Sequence, residues 1–320
     1  MAGRKQRRRN GCPMSSLPEP LAGVIYQAVD EFQDHLQKEL GHYEYLGGPL
    51  YYAEGSLKQA FWTDNIWLNP VQIIFDSISD AAKSLRNIQR NWAPVLFTQF
   101  RRGLLIQEQL PPIVQKKRPF PWVLPDSPMG AWTLLDAHSL LASPTCTSPF
   151  PAGKMALIEN KIDPPSRAYL KLQEALIRFR RWPQTGEHCL DAGASPGGWT
   201  WVLTQLGARV TAVDRAPLDE RLMRNPLVTY IKHDAFTLKP EEIGPVDWLL
   251  SDVICYPQRL YEWIQKWLAS GLAKNYICTI KMQGEGDFEV PHAFAAIPGS
   301  QVVHLNYNKH ELTWIKLADR

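Results

Sequence analysis

A glycine-rich run between a predicted strand and a predicted helix is the part of this sequence best suited to hold a ligand. The run extends from Leu190 to Thr200 and reads LDAGASPGGWT. Its glycines allow a tight turn and close approach of a ligand to the backbone, and its proline suits the first turn of a helix. The spacing is neither G-x-G-x-x-G nor that of a phosphate loop ending in Gly-Lys-Ser, and a plain strand-to-helix turn is the alternative. The candidate ligand-binding residues are Gly193, Ser195, Pro196, Gly197, Gly198 and Trp199.

Three aspartates each follow one of the next predicted strands. Asp214 ends the second strand, where a carboxylate can accept both hydroxyl hydrogens of a ribose. Asp234 follows the third strand and can accept from an exocyclic adenine amine, and Asp252 follows the fourth. Because the carboxyl ends of parallel strands meet at one edge of a sheet, the three side chains are expected to face one crevice. The pattern predicts a nucleoside site.

The elements that position these residues alternate between strands and helices. Apolar runs predict strands at Cys189–Leu190, Val210–Val213, Val228–Ile231, Trp248–Leu250, Tyr276–Ile280, Val302–Leu305 and Leu312–Leu317. Helical patterns separate most of these runs, which favours parallel strands joined by right-handed crossovers. The predicted fold class is α/β, a mostly parallel doubly wound sheet preceded by a smaller α+β domain.

Around the glycine-rich run, the sequence resembles the FtsJ-like ribose 2′-O-methyltransferases. The resemblance rests on Asp191 to Gly198 and the three aspartates, on PPSRAYLKL at 164–172 before the sheet, and on WLASG at 267–271 before the fifth strand. It covers about residues 144–317. It implies a Rossmann-like domain, S-adenosyl-L-methionine as cofactor and an RNA substrate, most closely a cytidine of 23S rRNA.

The same resemblance implies a catalytic tetrad of Lys171, Asp252, Lys281 and Glu311. A ribose hydroxyl is a poor nucleophile, so methyl transfer requires removal of its proton or stabilisation of its oxyanion. Lys281 is the candidate base, and burial or the neighbouring Lys171 is expected to lower its pKa. Asp252 and Glu311 are expected to orient the two ammonium groups.

One departure from the family pattern lies near this tetrad, and two nearby histidines are further candidates. Ala168 stands where related sequences often carry a second serine, and Ser166 can compensate. His304 and His310 lack partner spacing and are predicted to lie on the surface.

The net charge of +3 conceals two basic blocks. Residues 1–10 carry +5, residues 11–80 carry −8, and residues 81–120 carry +7. The second block interleaves basic residues with aromatic residues, as a groove for an RNA strand requires. Its basic residues are Lys83, Arg86, Arg90, Arg101, Arg102, Lys116, Lys117 and Arg118, and its aromatic residues are Trp92, Phe97, Phe100, Phe120 and Trp122. A solvated helix face above core aromatics is the alternative.

The chain is predicted to comprise a basic disordered tail (1–19), an α+β RNA-binding domain (20–142), a linker (143–165) and the Rossmann-like domain (166–320). In the second segment, apolar residues at three-to-four spacing predict a helix from Leu21 to Leu40. A second helix is predicted from Ile78 to Trp92, capped by Asp76 or Ser77. Further strands are predicted at Tyr51–Tyr52, Val71–Phe75, Leu104–Ile106 and Trp132–Leu135. The prolines of 143–165 indicate a boundary or an ordered crossover.

Cysteine usage and apolar patterning restrict the setting. The five cysteines are odd in number and form no C-x-x-C pair, which disfavours zinc or a disulfide framework and favours a reducing, cytoplasmic compartment. No stretch approaches the ~18 apolar residues that span a bilayer. We therefore expect no metal and no membrane partner.

Three other functions stay open at this point. The same catalyst can act on tRNA or an mRNA cap, and the fold can serve as a non-catalytic RNA-binding assembly factor. A dehydrogenase uses a related sheet, but requires a different glycine spacing and leaves Lys171, Lys281 and Glu311 unexplained.

Overall fold

The computed structural model describes residues 17–113, 117–284 and 288–318 and folds them around three β-sheets. The amino-terminal strands are β1 (Glu19–Pro20), β2 (Gly23–Ala28), β3 (Glu44–Gly47), β4 (Leu50–Glu54), β5 (Thr63–Trp67), β6 (Val71–Ile74), β7 (Trp92–Pro94), β8 (Gly130–Leu134) and β9 (Ser139–Ser143). They form an antiparallel sheet in the order β3-β4-β2-β5 and a mixed sheet in the order β1-β6-β9-β8-β7. Helices α1 (Gln33–Leu40), α2 (Ile78–Ile88) and α3 (Phe100–Glu108) belong to the same part of the chain.

The third sheet has seven strands in the order β12-β11-β10-β13-β14-β16-β15. These strands are β10 (His188–Ala192), β11 (Arg209–Asp214), β12 (Val228–Lys232), β13 (Val246–Ser251), β14 (Ala273–Lys281), β15 (Ser300–Val303) and β16 (Glu311–Lys316). Strands β10 to β14 are parallel, and β16 pairs antiparallel with both β14 and β15. The predicted doubly wound sheet is confirmed, with the order reversing at β10 and β13, where such sheets bind ligands.

Helices cover both faces of this sheet. They are α4 (Tyr169–Arg178), α5 (Gly198–Gln205), α6 (Glu220–Met223), α7 (Pro240–Ile243), α8 (Pro257–Ser270) and α9 (Val290–Ala295). Successive residues of β14 enter different cores: Ile277 packs with α4 and α5, whereas Cys278 packs with α8. Burial on both faces explains why the central strands are continuous apolar runs rather than alternating ones.

The four-stranded sheet shares a hydrophobic core with the seven-stranded sheet. Tyr26, Tyr51 and Trp62 belong to the same buried cluster as Trp267 and Trp314. The predicted linker 143–165 is also packed, since Phe150 and Leu157 are buried against α4. The division of the chain into the predicted domains stays a prediction.

Two amino-terminal predictions are corrected by the structure. The helix predicted from Leu21 to Leu40 is wrong in its first half, because β2 lies between β4 and β5 and Val24–Ala28 are all buried. A strand that is buried on both faces carries apolar residues at many positions, and some of these positions also fit helical spacing. The strand predicted at Leu104–Ile106 is part of α3, which exposes Leu104 and buries Ile106.

The second predicted helix is correct except at its end. It stops at Ile88, and Trp92 begins β7 with its indole N–H donating to the carbonyl oxygen of Leu85 at 2.9 Å. Ser77 caps the helix as predicted, its Oγ accepting from the Asp80 amide at 3.1 Å. Predicted strands at Tyr51–Tyr52 and Val71–Phe75 are confirmed as β4 and β6, and the one at Trp132–Leu135 as β8.

Within the described residues, no helix combines the length and the apolar character that crossing a bilayer requires. The same ranges contain no group of three or more histidine, cysteine, aspartate or glutamate side chains arranged to hold a metal ion. Of the predicted tail, residues 1–16 lie outside the described part of the chain.

Candidate active site

The glycine-rich loop connects β10 to α5 and turns where only glycine fits. Gly193 has a φ of +76°, and a Cβ at this position would lie 2.6 Å from the Cβ of Val253. Gly197 has a φ of +112°, and its Cβ would lie 2.3 Å from Leu222. L-residues rarely adopt this region of φ, so both positions require glycine for backbone and space alike.

The loop is tied to the start of α4. The indole N–H of Trp199 donates to the carbonyl oxygen of Ala168 at 3.0 Å, and a Cβ on Gly198 would meet Ser166 Oγ at 2.4 Å. The serine-to-alanine departure at Ala168 therefore leaves this backbone contact intact. Helix α4 carries Lys171, so the loop and the tetrad are held at a defined separation.

Two adjoining cavities open at the carboxyl ends of β10, β11 and β13. The larger, of about 410 Å³, is lined by the loop together with Asp191, Asp252 and Lys281. The smaller, of about 170 Å³, extends between Asp214 and Asp234. Most of the predicted ligand-binding residues line the larger cavity: Gly193, Ser195, Pro196, Gly198, Trp199, Asp214 and Asp252. The smaller cavity is lined by Asp234, and Gly197 lines neither cavity but forms the turn of the loop.

Asp214 and Asp234 have different surroundings. Asp214 accepts from the Ser195 amide at 3.0 Å, so it fixes the loop as well as facing both cavities. Asp234 forms ion pairs with Arg215 and Arg259 through one oxygen. Partial burial acts to raise the pKa of Asp234, but the Phe236 amide and these guanidinium groups hold it below its usual value.

The four residues predicted as a tetrad lie together as a ring of alternating charge. Lys171 Nζ is 2.6 Å from Asp252 Oδ1 and 2.8 Å from Glu311 Oε1. Lys281 Nζ is 3.0 Å from Asp252 Oδ1 and 3.2 Å from Glu311 Oε2. The side chains are between 9% and 17% exposed, and Lys281 is the most exposed of them. Lys281 and Asp252 line the larger cavity, whereas Lys171 and Glu311 are not part of its lining.

The electrostatics of the ring correct one prediction. Burial alone would lower the pKa of Lys281, but the carboxylates of Asp252 and Glu311 outweigh it and raise that pKa above its usual value. Burial likewise opposes the ionised form of Glu311, and the two lysines nevertheless lower its pKa. The expectation that burial or Lys171 gives Lys281 a lowered pKa was wrong, because two carboxylates contact the same ammonium group.

A buried glutamate on α4 positions the loop before Glu311. Glu174 accepts from the Asn306 amide at 2.9 Å and from the Tyr307 amide at 3.0 Å. Asn308 in the same loop donates to Glu311 Oε1 at 3.4 Å. Glu174 lies one helical turn beyond Lys171, so a single helix holds one lysine of the ring and the loop that carries one of its carboxylates. Sequence reasoning missed Glu174 and Asn308, for which no local motif exists.

Asp191 also belongs to this site, although the sequence motif alone indicates no role for it. It is buried, lines the larger cavity and accepts from Thr200 Oγ1 at 2.6 Å. Burial raises its pKa to about 7, and the nearby charges of Asp252 and Asp214 add to the shift. Its place at the end of β10, directly before the glycine-rich turn, was the available signal.

The two histidines near the tetrad differ from the prediction and from each other. His310 is exposed as predicted, with its ring stacked on Phe32 at 5.3 Å. His304 is only 5% exposed, so its predicted surface position was wrong. Phe32 and Trp62 from the amino-terminal part lie within 6 Å of the His304 ring and cover it, which its own sequence neighbourhood does not reveal.

The basic segment 81–120 is only partly arranged as predicted. Trp92 is fully buried and cannot stack on a base, and Arg102 places its guanidinium 5.5 Å from the Phe75 ring. Phe100 is 59% exposed and Arg101 is exposed beside it on α3. Lys116 lies outside the described residues.

Residues 164–282 match the model of the FtsJ-like methyltransferase family. This segment contains the glycine-rich loop, Lys171, Asp252 and Lys281, and Glu311 follows on β16. The match confirms the resemblance to FtsJ-like methyltransferases inferred from the motifs, and the doubly wound sheet agrees with it.

Within that class, the chain is similar to proteins named Ribosomal RNA large subunit methyltransferase M. The relative from Azoarcus sp. (strain BH72) is 36% identical over 141 residues, which cover 42% of this chain and 38% of the relative. The relative from Xanthomonas oryzae pv. oryzae (strain PXO99A) is 32% identical over 215 residues, which cover 64% of this chain and 57% of the relative. The chain thus matches between 38% and 57% of the length of these relatives.

Solved structures of methyltransferases resemble the chain more distantly. Human methyltransferase-like protein 13 in complex with SAH is 11% identical, with a TM-score of 0.34, and the similarity covers 42% of this chain and 72% of that one.

Proposed function

We propose that this protein is an S-adenosyl-L-methionine-dependent methyltransferase that methylates a ribose 2′-hydroxyl of RNA, with a cytidine of 23S rRNA as the expected target. The observation that carries the proposal is the ring of alternating charge, two members of which line the larger cavity. The relatives whose name refers to the large-subunit ribosomal RNA support the choice of substrate class.

The cavities fit the proposed cofactor in charge and in chemistry. Asp191, Asp214 and Asp252 surround the larger cavity, and carboxylates favour a ligand that carries a sulfonium and an ammonium group. Asp214 lies where the two cavities adjoin and suits the ribose hydroxyls, and Asp234 with Arg215 borders the smaller cavity, which suits the adenine. S-adenosyl-L-methionine supplies an already activated methyl group, so the residues of this chain need only position and deprotonate the acceptor.

In the proposed mechanism, Lys281 receives the proton of the ribose hydroxyl. The two carboxylates keep its ammonium form stable in the resting ring, so Lys281 must first lose a proton. A positive charge bound beside Asp252 opposes the carboxylates and lowers the pKa of Lys281. The hydroxyl proton passes to Lys281 Nζ and later to solvent. The ribose oxygen would bond to the methyl group that S-adenosyl-L-methionine supplies, and the methyl–sulfur bond would break with its electron pair left on sulfur. Lys171 and Glu311 hold Asp252 and Lys281 in place throughout.

RNA binding is assigned to residues 20–142, and within them to the basic segment. Arg101 and Phe100 are both exposed on α3 and offer a cation and a stacking face. A reducing cytoplasmic compartment is part of the proposal, on the cysteine pattern of the sequence.

The test is methyl transfer from tritium-labelled S-adenosyl-L-methionine to total RNA, with Lys281→Ala as the variant. We expect the variant to lose transfer while S-adenosylhomocysteine still raises its melting temperature, because a ligand that binds only the folded state stabilises it. Full transfer by Lys281→Ala would reject the mechanism. Absence of transfer by the wild-type protein would favour the assembly factor, and stabilisation by NAD alone would favour a dehydrogenase.

The RNA itself is identified by mapping 2′-O-methyl sites in cells with and without the gene. A lost site in 23S rRNA supports the proposed substrate. A lost site in tRNA or at an mRNA cap would assign the same chemistry to another RNA.

A further inference from the structure

A cavity of about 300 Å³ lies outside the candidate active site, between residues 117–129 and 149–156. Its walls include the apolar side chains of Trp122, Leu124, Met129, Phe150 and Met155. Leu124 and Phe150 are buried in the core shared with α4, whereas Trp122 and Met155 are partly exposed. The floor is thus fixed by the core, and the opening faces solvent.

The rim of this cavity is basic. Lys117, Arg118 and Lys154 all line it, and the Lys154 ammonium is paired with Asp64. Among the described residues, no carboxylate forms an ion pair with Lys117 or Arg118, and both side chains are exposed. The Arg118 guanidinium carbon lies 5.7 Å from the centroid of the Trp122 ring, so an aromatic face and a cation occupy the same edge of the cavity.

The cavity is linked by short contacts to the loop that carries Glu311. Gly153 precedes Lys154, and its carbonyl oxygen accepts from Asn306 Nδ2 at 3.2 Å. On the same side, the Leu157 amide donates to Tyr307 Oη at 3.0 Å. The cavity wall at residues 154–156 is therefore flanked on both sides by residues that bond to the loop before Glu311.

We propose that this cavity binds one unpaired nucleotide of the substrate RNA, with its base against Trp122 and its phosphate at Lys117 and Arg118. The inference rests on the proposed function for the identity of the ligand. It adds a binding site outside the cofactor cavities and the tetrad.

Size and charge favour a nucleotide over an apolar peptide. The volume is at the lower end of that of ligand pockets and suits a single base rather than several side chains. Unpaired bases of RNA stack on aromatic rings and on guanidinium planes, and both are present at one edge. A peptide docking site would not require two exposed cations at its rim, whereas a phosphate is favoured by them.

The test is the fluorescence anisotropy of a labelled single-stranded RNA of 12 nucleotides, measured with the full chain at several salt concentrations. The double variant Lys117→Glu/Arg118→Glu is compared with Arg224→Glu/Lys266→Glu, an equal charge change at exposed positions elsewhere. We expect the first variant to lose at least tenfold in affinity and to flatten the dependence of log K on log salt by about 0.7, the contribution of one single-strand phosphate. The control variant should retain most of the affinity.

Trp122 supplies a second and independent readout. Trp122→Ala should weaken binding of the single strand about tenfold, and Trp122→Phe should retain most of it, because a phenyl ring still stacks. A duplex of the same sequence should bind equally to wild type and Trp122→Ala. The melting temperature of each variant identifies a folding defect, and Trp122→Phe and the charge variants keep the test valid if Trp122→Ala unfolds.

Unchanged affinity in both Lys117→Glu/Arg118→Glu and Trp122→Ala would overturn the assignment. Competition by a neutral apolar peptide, with no competition by unlabelled RNA, would identify a peptide site and would also overturn it. These outcomes are separate from the proposed function, because methyl transfer by the wild-type protein is measured in a different assay. If the wild-type protein transfers methyl groups but the cavity variants bind RNA normally, only the inference about the cavity is rejected.

Discussion

The burial of His304 predicts a specific dependence of stability on pH. Burial lowers the pKa of His304 from 6.5 to about 4 in the folded protein. The folded pKa lies below the unfolded one, so the unfolded chain binds the proton more readily. The stabilising contribution is complete above pH 6.5 and is lost as the pH falls towards 4. With these two pKa values, protonation of the unfolded chain at pH 5 costs about 2 kcal/mol of stability, and almost nothing at pH 7.5.

The perturbation is His304→Gln, which removes the titrating ring but keeps an N–H group that can reach the Lys309 carbonyl oxygen contacted by His304. The free energy of unfolding is measured by urea denaturation at pH 7.5 and pH 5 for both proteins. Between these two values, the wild type should lose about 2 kcal/mol more than the variant. Asp191 and Glu39, whose pKa values are raised by burial to about 7, also titrate in this range, but they are common to both proteins and cancel in the difference. Equal losses in the two proteins would refute the burial of a neutral His304.

Three further predictions concern the candidate active site. Gly193→Ala should lower stability by about 1–3 kcal/mol, because φ is +76° and Val253 occupies the space of a Cβ. It should also reduce the affinity for S-adenosylhomocysteine, measured by calorimetry, at least tenfold. Unchanged affinity would contradict the tight turn. Glu174→Gln should lower kcat with little change in S-adenosylhomocysteine affinity, because the loop that carries Asn308 and Glu311 loses its anchor; an equal loss in both would indicate general unfolding instead. The wild-type initial rate should rise with pH from 6 to 9, because the pKa of Lys281 is raised and its neutral form is the active one. Lys281→Arg should be inactive throughout this range, because arginine stays protonated. An active Lys281→Arg enzyme would exclude Lys281 as the base.

The sequence predicts the large sheet well because each of its elements carries its own local signal. The strands of the large sheet are short apolar runs buried on both faces, and β10 ends at the glycine turn that opens α5. The three aspartates were expected at strand ends and do lie at the ends of β11, β12 and β13, on the edge that holds both cavities. Parallel topology then brings distant residues to one edge without any further information.

The amino-terminal part is harder to predict because its burial depends on contacts that are distant in sequence. Leu21, Ile25 and Val29 recur at helical spacing, but Gly23–Ala28 form β2 because β4 and β5 pair with them on both edges. Likewise, His304 is buried by Phe32 and Trp62, which lie more than 200 residues earlier in the chain. Neither neighbour can be inferred from the local sequence.

The tetrad illustrates a different limit. Lys171 and Glu311 are 140 residues apart, so no spacing relates them, and only the family resemblance brought them together before the structure did. The resemblance did not predict the electrostatics correctly. The pKa of Lys281 depends on which charges contact its ammonium, and two carboxylates lie within 3.2 Å of it.

The most direct test of the proposed function is to digest the RNA product to nucleosides and identify the methylated one by mass spectrometry. Purified protein is incubated with S-adenosyl-L-methionine and 23S rRNA that lacks the modification, beside Lys281→Arg under the same conditions. We expect a methyl group on the ribose, as 2′-O-methylcytidine, with the wild-type protein only. A methyl group on the base, or equal methylation by Lys281→Arg, would contradict the assignment of the ring of Lys171, Asp252, Lys281 and Glu311 as a ribose 2′-O-methyltransferase site.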